Sequence, residues 1–154
     1  MTYPTDPANI TDFVWFLQNV VNVPPAALTT TPVTQVDVTT AWAVACETVD
    51  RFINIHSPLY YNLAMYNFAA DYLINWCVDQ ECQTWFEDLR KKLKITSFVG
   101  GTVASTADES TSTSLNVPKN LEGLTFFDLQ NLKTIYGRTY MSIAEKFGDI
   151  WGAS

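Results

Sequence analysis

The stretch Ser57–Val78, SPLYYNLAMYNFAADYLINWCV, decides the fold. It opens with a serine whose hydroxyl can accept from a free backbone N–H. The proline that follows suits a first helical turn, where its missing donor costs nothing. Leu59, Leu63, Tyr66, Ala70, Leu73 and Cys77 recur at three- and four-residue spacing as one stripe, and Tyr61, Met65, Phe68, Tyr72 and Trp76 as a second. Only a narrow band, chiefly Asn67, Asp71 and Asn75, stays polar. A helix apolar on two faces packs on both sides, so this spacing predicts the central, most buried helix of an all-α protein.

Toward the N-terminus, Trp42, Ala45, Cys46, Val49, Phe52 and Ile53 keep the helical period and predict one helix stopping near His56. The threonine-rich, proline-broken run AALTTTPVTQV (26–36) reads as a loop. Ahead of it a helix is predicted after Thr11, with Phe13, Phe16, Leu17 and Val20 on one face. Pro24-Pro25 is expected to end it, because proline removes a donor and restricts the preceding residue. Residues 1–10, with Pro4 and Pro7, read as an extended arm.

Toward the C-terminus, Asp79 is expected to cap a helix whose stripe is Cys82, Trp85, Phe86, Leu89 and Leu93. Glu87–Lys91 and Asp88–Lys92 place acid before base four residues apart, and bases in the last turn meet the negative end of the helix dipole. The run RKKLK (90–94) therefore has a sufficient structural explanation. From 95 to 122 the period breaks. Gly100-Gly101 punctuates, and STADESTSTS (105–114) holds nothing apolar larger than alanine, so an extended loop is predicted. Thr125 then suits a cap, with Asp128 reaching back and Leu124 stapled to Leu129; that helix is expected to end at Gly137. A last short helix carrying Tyr140, Ile143 and Phe147 runs to Gly148 and leaves the tail DIWGAS.

One domain is the expectation for 154 residues. Aromatics make up 14% of the chain and charged residues 16%, against about a quarter charged in an ordinary soluble domain. A chain so poor in charge is expected to cover part of its surface with other chains. Residues 1–89 carry ten acids against the single base Arg51, whereas residues 90–154 carry eight bases and six acids. Two poles of opposite sign suit contact between copies or with a partner, not sequence-independent wrapping of nucleic acid.

Cys46, Cys77 and Cys82 are odd in number and MTYPTDPANI has no secretory pattern, so free thiols in a reducing compartment are expected. Lone His56 has no neighbouring ligand pattern, which argues against zinc; no metal or other cofactor is predicted. No apolar run reaches the length of a membrane span. Phosphate-cradling glycine loops, a Gly-x-Ser-x-Gly elbow and His-Glu-x-x-His are all missing. Glu87 and Asp88 are adjacent and diverge by about 100° on a helix, so they cannot converge as an acid pair. Asp108 and Glu109 lie where burial would not raise a carboxyl pKa. No catalytic residue is assigned.

Three stretches together resemble a family of small tailed-bacteriophage proteins of the head-to-tail (neck) region, adaptor or head-completion proteins. They are SPLYYNLAMYNFAADYLINWCVDQ, FEDLRKKLKITSFVGGTVASTADESTSTSLNVPKNLEGLTFFDLQNLKTIYGRTYMSIAEKFG and, more weakly, TDFVWFLQNVVNVPPAAL. The tail after Gly148 has no counterpart. The resemblance implies a helical adaptor, repeated as a ring of twelve by analogy with the portal beside it, linking the portal protein to tail or nozzle proteins with DNA passing through. It implies a place in the virion neck, reached from the host cytoplasm during assembly. On that reading the 95–122 loop contacts neighbouring subunits through Phe98, Val99, Asp108, Glu109, Leu115 and Val117. The segment 138–154, with Tyr136 just ahead of it, becomes a portal-docking element built on Tyr136, Arg138, Tyr140, Lys146, Phe147 and Trp151, able to leave the helical body without exposing its core. The competing expectations are that Tyr140, Ile143 and Phe147 pack back onto the subunit; that the protein is a small phage-borne hydrolase; and that it is a DNA-contacting gatekeeper using Arg90, Lys91, Lys92 and Lys94.

Overall fold

The computed structural model describes residues 7–28, 36–79, 83–95, 105–108, 111–114 and 130–147. Its packed body is all-α, and its centre is the helix Pro58–Trp76, here α4. Ser57 is extended (φ −160°) and its Oγ accepts from the Tyr60 N–H at 3.5 Å, with Pro58 in the first turn. Cys77 turns extended and closes the helix through its N–H to the Leu73 carbonyl. Ala64, Met65, Tyr66, Phe68, Ala69, Ala70, Leu73 and Ile74 are all buried.

The polar band of this helix is buried too. Asn67 and Asp71 are almost completely enclosed, as is Asn62, while Leu59 and Trp76 at the ends of the apolar stripes are about half exposed. The cause is the last helix, Ile135–Phe147, which is the most extensive partner of α4 and lies along that band. Contacts of Asp71 with Thr134, Phe68 with Tyr140 and Tyr60 with Phe147 make the pair antiparallel.

The first helix, α1, spans Ile10–Asn19. It starts at Ile10, ahead of the start expected after Thr11, and its cap is Asn9: Asn9 Oδ1 accepts from the Asp12 N–H, and Asp12 accepts from the Asn9 amide in return. The helix ends well before the prolines. Asn22 takes a left-handed conformation (φ 62°), Val21 and Val23 turn into the core, and Pro25 opens a 3-10 turn, Pro25–Leu28. The prolines thus begin the next turn.

The single helix expected up to His56 is two. Asp37 caps α2, Val38–Thr48; Val49 goes extended, and Asp50 Oδ1 accepts from the Phe52 N–H to restart the chain as α3, Phe52–His56. Ala41, Ala45, Val49 and Ile53 are the buried members, and Phe52 is turned outward. Asp79 does cap α5, Trp85–Leu93, accepting from the N–H groups of Phe86 and Glu87 in its first turn. Glu87–Lys91 forms an ion pair, but Asp88 accepts from the Thr84 hydroxyl instead of meeting Lys92. Cys82 lies outside the described residues.

Part of the expected loop is a β-hairpin. β1, Ser105–Asp108, pairs antiparallel with β2, Thr111–Ser114, in the register Ser105 to Ser114 and Asp108 to Thr111. Phe98, Val99, Glu109, Leu115, Val117 and the expected cap at Thr125 fall outside the described residues. The last helix is designated α6. It does not stop at Gly137 but runs through it, capped by Thr134, whose Oγ1 accepts from the Gly137 N–H.

Candidate functional site

The residues expected to dock a portal, Trp151 apart, lie on α6, and the helix is built into the core. Tyr136 meets Phe16 edge-on at 6.3 Å, Tyr140 meets Phe68 at 4.9 Å, and Phe147 lies 5.1 Å from Tyr60. Met141 and Ile143 are buried between them. Lys146 Nζ sits 4.2 Å from the centroid of the Tyr60 ring and donates to its hydroxyl at 3.0 Å. A docking segment that begins at 138 and can swing away is therefore overturned for residues up to 147: removing it would strip the polar band of α4 and expose Phe68. Packing back onto the subunit is what the described residues do. Arg138 and Lys146 remain exposed, Tyr136, Tyr140 and Phe147 keep one edge accessible, and Trp151 lies outside the described residues.

A second feature adjoins the C-terminal end of α6. Helix α3 packs against both α4 and α6, yet Phe52 is 48%, Ile55 79% and Leu59 48% exposed. Large apolar side chains left out together mark contact surfaces more often than isolated ones do. Periodicity alone assigns Phe52 and Leu59 to buried stripes. The signal against this is Asp50, a residue that favours caps and turns, sitting in the middle of an otherwise continuous helical period. Tyr60, Lys146 and Phe147 are in mutual contact where α4 begins and α6 ends, and Phe52, Ile55 and Leu59 are exposed on and just after α3, which packs against both helices. Aromatic and cationic residues are the types that dominate the energetic centres of interfaces.

The basic run on α5 is mostly structural. Arg90 Nη1 donates to the carbonyls of Ile74 at 2.9 Å and Cys77 at 2.6 Å, satisfying acceptors that the end of α4 would otherwise leave bare. Asp79 stands 3.9 Å from the same guanidinium. Arg90 is therefore withdrawn from the set that could contact DNA, and Lys91 is paired with Glu87 at 2.6 Å.

The other polar cluster lies in the seam between α4 and α6. The Thr134 hydroxyl donates to Asp71 Oδ1, and Gln130 Nε2 donates to Asn75 Oδ1 at 3.0 Å. Burial pushes the Asp71 carboxyl up to about 7, against the opposing pull of Thr134, Asn75 and the Gly137 backbone. In the sequence Asp71 is only part of a polar strip; its enclosure depends on a helix more than sixty residues away, as the Asp71–Thr134 separation of 63 shows.

A cleft of about 300 Å³ between Pro7, Cys46, Arg51, Asn54 and Tyr61 carries no activated nucleophile: burial and then Glu47 push the Cys46 thiol up. The Cys77 thiol is pushed up to about 11, chiefly by burial. Among the described residues no group of three His, Cys, Asp or Glu side chains could hold a metal ion, and no helix is long and apolar enough to cross a membrane. Comparison with protein-family models, curated proteins and solved structures gives no match to the chain.

Proposed function

We propose that the protein is a structural adaptor of a tailed-phage neck, a helical subunit that binds the portal protein and copies of itself. The observation that carries this reading is the exposure of Phe52, Ile55 and Leu59, on and just after a helix, α3, that packs against α6. Its support from the sequence is the charge-poor composition and the resemblance of three stretches to neck proteins. The hairpin 105–114 suits the role of an arm. A two-stranded ribbon is marginal on its own in water, and its outer edges carry backbone groups that another chain can pair.

The test is mass measurement of the purified chain, alone and mixed with portal. A discrete ring, or a portal complex of defined stoichiometry, is expected. The variant Phe52→Ser, Ile55→Ser, Leu59→Ser should keep its helicity and lose the complex. Deletion of 105–114 should also leave helicity nearly unchanged while weakening ring or neck assembly. An intact chain that stays monomeric and ignores portal overturns the reading.

A further inference from the structure

The seam between α4 and α6 encloses one carboxyl among neutral partners. Asp71 is 2% exposed and Thr134 is fully buried. Thr134 is doubly engaged: its oxygen accepts from the Gly137 N–H, and its hydrogen goes to Asp71 Oδ1. The helix start is therefore held to α4 by one hydroxyl and one carboxyl. A second oxygen crowds the same point. A Cβ built on Gly137 would overlap the carbonyl of Asn131 and stand 2.7 Å from Asp71 Oδ1, so both acceptors converge on the bare Cα of Gly137. The hydrogen bonds to the carboxyl come from Thr134, Asn75 and the Gly137 backbone, so what opposes its charge is enclosure away from water.

Among the described residues no counter-charge meets the carboxyl. On α1, Asp12 is bonded to Asn9; on α2, Cys46 lies beside Tyr61; on α3, His56 lies against Phe52. On α5, Arg90 is committed to the carbonyls of Ile74 and Cys77, and on α6 Tyr136 faces Phe16 while Arg138 reaches the Leu132 carbonyl. Lys133 lies half-buried in the turn before Thr134. None of these charges is among the causes that set the proton affinity of Asp71; burial comes first, and the rest are hydrogen bonds. An ionised carboxylate in such a seam has lost its water without gaining a cation.

We propose that the Asp71 carboxyl is a proton-operated latch on α6: protonated, it holds the first turn of α6 against α4; ionised, it loosens that turn. A break on its N-terminal side lets the start of α6 move relative to the preceding helical turn. The chain leaves a helical turn at Gln130–Asn131 and re-enters a helix at Ile135, so residues 132–134 form a short joint. This inference stands independently of the adaptor reading.

The experiment is native-state hydrogen exchange on the full chain between pH 5.5 and 8.5, corrected for the intrinsic rate. Protection of the α6 amides should fall by about tenfold or more across pH 7, with α1 and α2 changing less, since local opening reports the stability of that unit. In Asp71→Asn, whose neutral amide keeps an oxygen that can accept from the Thr134 hydroxyl, protection should be flat with pH. If that variant fails to fold, the side-chain carboxyl carbon of Asp71 in the native protein supplies the reading through its NMR titration. A midpoint near 7 is expected, moving higher in Thr134→Val, which removes the hydroxyl that favours the ion. A midpoint below 5, α6 protection that is level with pH, or the same pH dependence in Asp71→Asn overturns the latch.

Discussion

Tyr140 meets Phe68 edge-on with ring centroids 4.9 Å apart and planes 70° apart, joining the last helix to the middle of the central one. Aromatic pairs in this arrangement contribute about 0.5–1.5 kcal/mol beyond the area they bury. Phe68 is 1% exposed, and Tyr140 of α6 is among the groups that cover it. Truncation after Gly137 is therefore expected to abolish cooperative thermal unfolding, and Tyr140→Ala alone should cost about 2 kcal/mol in urea titration, less than a fully buried aromatic would. A truncated chain that melts like the intact protein would show that α6 is an appendage after all.

Gly137 gives a prediction of opposite sign to helix propensity. In an exposed helix, alanine for glycine stabilises by about 1 kcal/mol. At 137 the added methyl meets the Asn131 backbone carbonyl and Asp71 Oδ1, neither of which is the loose end of a long side chain. Gly137→Ala should destabilise by about 2–4 kcal/mol through overpacking and displacement of the α6 cap, read as a lower melting midpoint. A stabilised variant would place α6 elsewhere.

The same glycine shows where sequence reading stops. Taken alone, Gly137 is a helix terminator, and its actual role comes from a carbonyl six residues earlier and a carboxyl on another helix. The central helix was legible because both its cap, Ser57-Pro58, and its apolar density are local signals. The burial of Asn67 and Asp71 was not, because a polar strip looks the same whether water or another helix covers it. The break at Val49–Arg51 hid for a different reason: Ile53 continues the buried face of α2 across it, so the period survives while the backbone does not. On the candidate interface, residue types on α6 were readable, whereas the exposure of Phe52, Ile55 and Leu59 depended on that hidden break.

Arg90 should prove structural. Replacing it with methionine keeps the stem and removes the donors, leaving the carbonyls of Ile74 and Cys77 without their partner. A loss of about 1.5–3 kcal/mol is expected, as for hydrogen bonds to a charged group. Arg90→Lys should recover only part of it, since a single ammonium cannot reproduce the fork. Chemical denaturation of the three proteins checks this; equal stabilities would return Arg90 to the surface.

The two leucines of the first stripe should now differ. Leu73 is 1% exposed and packed within the core, whereas Leu63 is only partly buried. Leu73→Ala is expected to cost about 3–5 kcal/mol through the cavity it opens, and Leu63→Ala about 1–2 kcal/mol. Similar losses at both positions would mean that α4 is rotated about its axis relative to the packing described.

Asp71 fixes the sign of the pH dependence. Its carboxyl titrates near 7 in the folded chain, against 3.8 as the ordinary value. A group whose folded pKa is raised contributes stability that is fully present below the ordinary value and is lost as pH rises through the folded one. Stability should therefore decline between about pH 4 and pH 7, by an amount on the order of 2–4 kcal/mol, since each tenfold change in proton affinity is worth about 1.4 kcal/mol. The informative quantity is the difference between the native chain and Asp71→Asn, which isolates this one carboxyl. At pH 8 the variant should be the more stable of the two, because its amide has no charge to desolvate. At pH 5 the native carboxyl is protonated and the gap should close or reverse, since a neutral carboxyl fits the seam at least as well as an amide. Urea titrations of both proteins at the two pH values decide it. A gap that is the same at pH 5 and pH 8 would mean that Asp71 reaches water or a cation, and that the seam between α4 and α6 is not dry.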